Sequence, residues 1–203
     1  MMLEGSAVVD TGQASVALKE LIAGVRRIVR AERNRRRVAQ AVAGLLEPYL
    51  EMDDLLRDAQ IQPDPEKYRQ QVLHVEGDGS FSIAALVWLP GQETPIHDHV
   101  SWCVVGVYKG TEFETRYELC HGDEGQPHLV QASVALSQRG SVDALVPPGD
   151  IHKVTNSGTG LAVSIHIYGA NLAELGCSIR RHYYDLPLLP ISTNVVELIA
   201  RQI

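Results

Sequence analysis

Three imidazoles fall at spacings that could build a metal centre. Gly91 is followed after five residues by His97-Asp98-His99, then by Cys103, then by Gly110. Further along stand Pro147-Pro148-Gly149-Asp150-Ile151-His152 and Asn156. On a strand, positions i and i+2 project to one face, so His97 and His99 can point together into one cavity. His152 follows a turn sequence that can aim the first side chain of the next strand toward them. Neutral imidazole suits Fe, Zn, Cu, Ni and Mn alike, so these residues predict a divalent ion without choosing it. Three ligands on one face leave the opposite positions open for substrate and oxygen.

These side chains need a rigid frame, and the chain around them is strand-like. From Tyr68 onward short apolar runs recur at intervals of about ten residues, which is the pattern of an antiparallel barrel or sandwich. They are 72–75, 81–89, 102–108, 113–119, 129–136, 142–146, 152–155 and 161–168, separated by Gly-, Pro- and Asn-rich turns. A further strand is predicted at 178–184. Before them, Val16, Leu18, Leu21, Ile22, Val25, Ile28 and Val29 repeat at helical spacing, as do Val38, Val42, Leu45, Leu46 and Leu50 up to Pro48. Gln62-Pro63-Asp64-Pro65 marks the change of texture. The expectation is one domain over 1–203: a helical segment over 1–62, a barrel over 66–184, and a tail over 185–203 with a short helix near 195–203.

Composition narrows the partners. A formal charge of −7 argues against nucleic acid or an anionic membrane as the main partner. The arginine-rich stretch 26–37 is interleaved with apolar residues and reads as a solvated helix face. No stretch is long and apolar enough for a membrane span, and the N-terminal residues lack a secretion-signal layout. Cys103, Cys120 and Cys177 make an odd set without paired spacing, so a cytoplasmic location is expected.

The stretches 91–110 and 147–156 resemble the two motifs of the cupin superfamily, double-stranded β-helix barrels of jelly-roll type. The first motif usually carries a glutamate ligand where this chain has Cys103. That departure, together with Ser164, His166 and Tyr168 at alternate positions of one apolar strand, resembles the thiol dioxygenases: cysteine dioxygenase and 3-mercaptopropionate dioxygenase. The resemblance implies a mainly β cupin fold with N-terminal α-helices and Fe(II) held by His97, His99 and His152. It also implies a Ser164–His166–Tyr168 relay, and a thiol carboxylate oxidised by O2 to a sulfinic acid. In cysteine dioxygenases an arginine two residues after a strand tyrosine binds the carboxylate. Here Tyr68 is followed by Gln70, as in the 3-mercaptopropionate type, whose carboxylate arginine comes from the region of Arg180 and Arg181. Cys103 instead resembles animal cysteine dioxygenases, where the matching cysteine is joined to the relay tyrosine. The substrate therefore stays open between L-cysteine and 3-mercaptopropionate. The competing readings are a metal-dependent isomerase or hydrolase on the same barrel, and a non-catalytic small-molecule-binding cupin. Trp88 and Trp102 are expected to pack the barrel, and His121 and His128 to be exposed.

Overall fold

The computed structural model describes residues 14–189. Ser15 caps the first helix by accepting from the Leu18 amide, and Asn34 caps the second by accepting from Arg36 and Arg37. These helices, α1 (Val16–Ala31) and α2 (Arg35–Leu46), lie against each other. Pro48 ends the α-helical run in a 3-10 turn, Glu47–Glu51. Of the expected apolar stripe, Val16, the first residue of the helix, is the exception: it is 71% exposed.

Among the described residues eleven strands follow: β1 (Arg69–Val75), β2 (Ser82–Trp88), β3 (His97–His99), β4 (Cys103–Lys109), β5 (Thr111–His121), β6 (Pro127–Gln138), β7 (Val142–Leu145), β8 (His152–Asn156), β9 (Ala162–Tyr168), β10 (Ile179–His182) and β11 (Leu188–Leu189). They form two sheets, ordered β1-β2-β9-β4-β7 and β10-β3-β8-β5-β6-β11, so the expected strand-rich barrel with N-terminal helices is present. The pairings are antiparallel except β11 with β6. A short helix, α3 (Leu172–Leu175), links β9 to β10. The helix expected near 195–203 lies outside the described residues.

The first sheet is buried on both faces, which explains why β2 and β9 read as continuous apolar runs. Alternation sorts their side chains. Ile83, Ala85, Val87, Val163, Ile165 and Ile167 face outward and pack with Leu18, Leu21, Val25, Val42, Leu46 and Leu50 of the helical layer. Ala84, Leu86, Trp88, Ala162 and Tyr168 face inward, with Val72, Cys103, Leu145 and Val154. Fully burying one such aliphatic side chain is worth about 1.5–3 kcal/mol, so the helices hold the sheet by many small terms. Glu76 adds a polar tie: Arg26 donates to both its carboxylate oxygens at 2.7 and 2.9 Å, and His74 lies 2.9 Å away.

Gly110 turns β4 into β5 with φ +78°, and a Cβ there would sit 2.7 Å from the Leu161 carbonyl oxygen. Glycine alone fits that left-handed, crowded turn.

Candidate metal centre

The two histidine stretches meet where β3 pairs with β8: His97 is the cross-strand partner of His152. His99 follows two residues along the same face. Ligand atoms of His97, His99 and His152 all lie within 4.8 Å of one another, and the ring centroids are 4.6–5.0 Å apart. All three side chains are buried.

Each ring is oriented by a partner on its Nδ1. His97 Nδ1 lies 2.9 Å from the Pro95 carbonyl, His99 Nδ1 2.9 Å from Asp150 Oδ2, and His152 Nδ1 2.6 Å from Glu114 Oε1. A carbonyl or carboxylate only accepts, so each ring donates from Nδ1 and presents a bare Nε2. His152 Nε2 is buried with no hydrogen-bond partner. An orphaned acceptor among two similarly aimed imidazoles is costly unless something coordinates it, and a divalent cation fits. Burial, then the neighbouring rings, push the His97 imidazole well below its ordinary value. Burial also lowers His99, outweighing its bond to Asp150. Both rings are therefore neutral donors at neutral pH. Burial alone would raise the Glu114 carboxyl, but bonds from His152 and Arg116 hold it below the usual range. Asp150 follows the same logic through His99.

Asp98 lies between the two histidines in sequence but not at the site. Asp98 turns away between the two histidines, accepting from Tyr183 Oη at 2.9 Å and pairing with Arg180. The carboxylates that reach the histidines are Asp150 and Glu114. Asp150 stood in the quoted turn, two residues before a ligand, which was a usable signal. Glu114 carried none, since only the β5–β8 register brings it beside His152.

The other expected site residues lie on β9, β4 and the edge strand β1. Ser164 Oγ and Tyr168 Oη each lie 2.9 Å from the His166 ring, on Nε2 and Nδ1 respectively. Burial lowers His166 to about 3 and raises the Tyr168 phenol well above its usual value, so both are neutral. Cys103 is fully buried, its thiol pushed up by burial, with Sγ 4.0 Å from His166 Nδ1. Trp88 does more than pack the barrel: its indole N–H donates to Ser164 Oγ at 3.3 Å, and its ring stacks on Tyr68 at 4.6 Å.

A cavity of about 440 Å³ opens onto this cluster. His97, His99, His152, His166, Tyr168, Trp88 and Leu86 line its depth, and Tyr68, Gln70, Lys67 and Arg69 line it nearer β1. Gln70 is the register partner of Leu86, which is the partner of Ser164, so Gln70 shares the inward face of the relay. Its amide donates to the Gly176 carbonyl at 3.2 Å. Arg180 and Arg181, expected at the substrate, are not among the lining residues. Arg180 pairs with Asp98, and Arg181 sits 4.7 Å over the Tyr183 ring. His121 is exposed as expected, and His128 is half-buried on β6.

Fold and centre together define a double-stranded β-helix barrel with a three-histidine site able to hold a metal ion. Residues 8–177 match the family described as cysteine dioxygenase type I, and the chain belongs to that family. Membership implies an iron-dependent dioxygenase. Among solved structures, the chain is similar to an uncharacterized conserved protein with a double-stranded β-helix domain from Klebsiella pneumoniae (19% identity, 57% of this chain and 88% of that chain, TM-score 0.40). It is also similar to an RmlC-like cupin protein from Desulfovibrio desulfuricans (21% identity, 59% and 98% covered, TM-score 0.41). A third is TT1209 from Thermus thermophilus (20% identity, 57% and 96% covered, TM-score 0.42). No helix among the described residues is long and apolar enough to cross a membrane.

Proposed function

We propose that this chain is an iron(II)-dependent thiol dioxygenase that oxidises a small thiol carboxylate with O2 to the sulfinic acid, and that 3-mercaptopropionate suits its cavity better than L-cysteine. The observation that carries the reading is the donor set: three imidazoles, each held through Nδ1, bring ligand atoms within 4.8 Å of one another, with no carboxylate among them, at the floor of a cavity that also holds Tyr168.

Iron held by His97, His99 and His152 supplies the redox chemistry that joins thiol sulfur and dioxygen, which side chains alone lack. The chain does the positioning. Leu86, Trp88 and Val154 give the cavity an apolar wall beside the histidines. Tyr168, held by His166, presents a neutral hydroxyl to whatever occupies the space in front of it. Gln70 offers an amide to a carboxylate at the β1 side, where Lys67 and Arg69 supply positive charge. A neutral amide gives a hydrogen bond without the charged bidentate fork of arginine.

The preference for 3-mercaptopropionate rests on charge. The ammonium of L-cysteine is best met by a carboxylate, and the groups beside the histidines are neutral: imidazole, phenol, indole, aliphatic carbon and the hydroxyls of Thr94 and Ser178. Asp64 is the acidic residue of the lining, placed with Pro63 and Pro65 before β1. A cytoplasmic setting belongs to the same reading, since three cysteines left free suit a reducing compartment.

The test is oxygen uptake by iron-loaded protein offered 3-mercaptopropionate, L-cysteine and cysteamine in turn. The expected order of kcat/KM places 3-mercaptopropionate first. Equal or greater kcat/KM for L-cysteine would remove the specificity claim, and no uptake with any thiol would remove the activity.

A further inference from the structure

The partner of His152 is itself held, and the hold reaches the opposite sheet. Glu114 uses one carboxylate oxygen for each neighbour: Oε1 lies 2.6 Å from His152 Nδ1, and Oε2 accepts from Arg116 Nε at 3.0 Å. Arg116 stands two residues further along β5 and is the register partner of His152 on β8, so the three side chains share the inward face. Its guanidinium then crosses the barrel, where Nη2 donates to Asp143 Oδ2. Asp143 lies on β7, the end strand of the first sheet, and its Oδ1 accepts from the Ala144 amide at 2.8 Å. The line His152–Glu114–Arg116–Asp143 runs from a metal-site ring in one sheet to the edge of the other.

We propose that Arg116, braced by Asp143, is a positioning residue for the metal centre: it fixes the plane of the Glu114 carboxylate and, through it, the tautomer and aim of His152. This role rests on the metal reading above and adds to it that retention of the ion depends on a contact between the two sheets.

The physical reason is rotational. The terminal torsion of a glutamate is soft, so one bond to a ring leaves the carboxylate plane loosely defined. A second bond, to the other oxygen, defines it. Arginine suits that task because its planar fork carries several donors at fixed angles, and here two of them meet two different carboxylates. Packing does not enclose this side of the site: a second cavity, of about 390 Å³, opens there and is lined by Arg116, Leu145 and Asp150 among others. As a source of stability the bridge is minor. The Arg116 and Asp143 side chains are 37% and 45% exposed, and ion pairs so exposed contribute little. Deleting it should therefore disturb the ring without unfolding the chain, which separates positioning from a merely structural role.

Charge and positioning also predict opposite signs. Removing a cation near a divalent ion should by itself tighten metal binding, whereas releasing His152 should weaken it.

The first test needs no metal. In the metal-free full chain with 15N-labelled histidine, His152 should carry its proton on Nδ1. Arg116→Met and Asp143→Asn should each add a share of the Nε2-protonated form, with circular dichroism unchanged. A His152 ring held on Nδ1 as firmly in both variants as in the wild type would overturn the proposal. The second test titrates the full chain with Co(II). Arg116→Met should weaken binding about tenfold, the low end for an outer partner of a ligand. The same substitution should cost nothing more once Glu114→Gln is present. Binding that is unchanged or tighter in Arg116→Met, or a loss equal in both backgrounds, would overturn the proposal. Arg116→Lys keeps the charge but not the fork, so it should bind Co(II) no better than Arg116→Met, and wild-type affinity in that variant would overturn the bridge. If Arg116→Met does not fold, Asp143→Asn takes its place in both tests with the same directions expected. Wild-type protein that takes up no Co(II) overturns the metal reading instead, and the tautomer result still decides the role of Arg116.

Discussion

Cys103 and Tyr168 are direct cross-strand partners, one opening β4 and the other closing β9, both on the inward face of the barrel. Side chains so paired stand about 4.5–5.5 Å apart at Cβ, within covalent reach of each other given oxidising chemistry beside them. Iron-loaded protein taken through turnover should therefore show a fraction lighter by two hydrogens in intact mass. Cys103→Ala should not, and a loss of two hydrogens persisting in that variant would place the oxidation elsewhere.

The carboxylates behind the histidines should govern metal retention. Asp150→Asn and Glu114→Gln each weaken the acceptor that fixes a ring's tautomer and aim. Such outer partners are worth about 10–100-fold in affinity. Titration with Fe(II) or Co(II) should show losses of that order with the fold intact by circular dichroism. Affinity unchanged in both would mean that the three rings are held by packing alone.

Gln70 should act on binding rather than on turnover. Removing its amide as Gln70→Ala deletes a hydrogen bond to a charged group, worth about 1.5–3 kcal/mol. KM for 3-mercaptopropionate should rise by about tenfold or more, with kcat within a factor of about two. A fall in kcat at unchanged KM would assign Gln70 to the reaction instead of the carboxylate.

Glu112 carries a stability signature. Its carboxyl is raised in the folded chain from 4.5 to about 7, so the folded state holds the proton more tightly than the unfolded chain does. The stability this gives is complete below pH 4.5 and is lost as pH rises to about 7, a change on the order of 3 kcal/mol. The difference in Tm between Glu112→Gln and wild-type metal-free protein should shift in favour of the variant over that interval. A difference that stays constant with pH would show that Glu112 is already ionised throughout.

Much of this was legible because strands betray themselves by alternation. The inward set Ser164, His166 and Tyr168 could be read directly, since three polar residues interrupt an apolar run at every second place. The histidine pair was legible for the same reason. Partners joined only by register were not: Glu114 and Glu112 look like ordinary alternating charges of a solvated strand, and nothing local to β5 says that β8 and β9 will lie against them. Asp98 shows the converse, being adjacent in sequence to both ligands but turned toward Tyr183 and Arg180. Arg180 and Arg181 were placed by likeness to relatives, and in the structure one pairs with Asp98 and the other lies over the Tyr183 ring. Tyr68 and Trp88 show a further limit, since stacking between a loop residue and a strand indole leaves no periodic trace.

The three-residue strand β3 has its neighbours far away in the chain: His97 faces His152 on one side, and Ile179, Arg181 and His182 of β10 flank it on the other. During synthesis, then, the ion's seat has no walls until a stretch some eighty positions downstream has left the ribosome. A divalent ion would meet its full set of three imidazoles only in the finished barrel, since His97 and His99 alone make an incomplete seat.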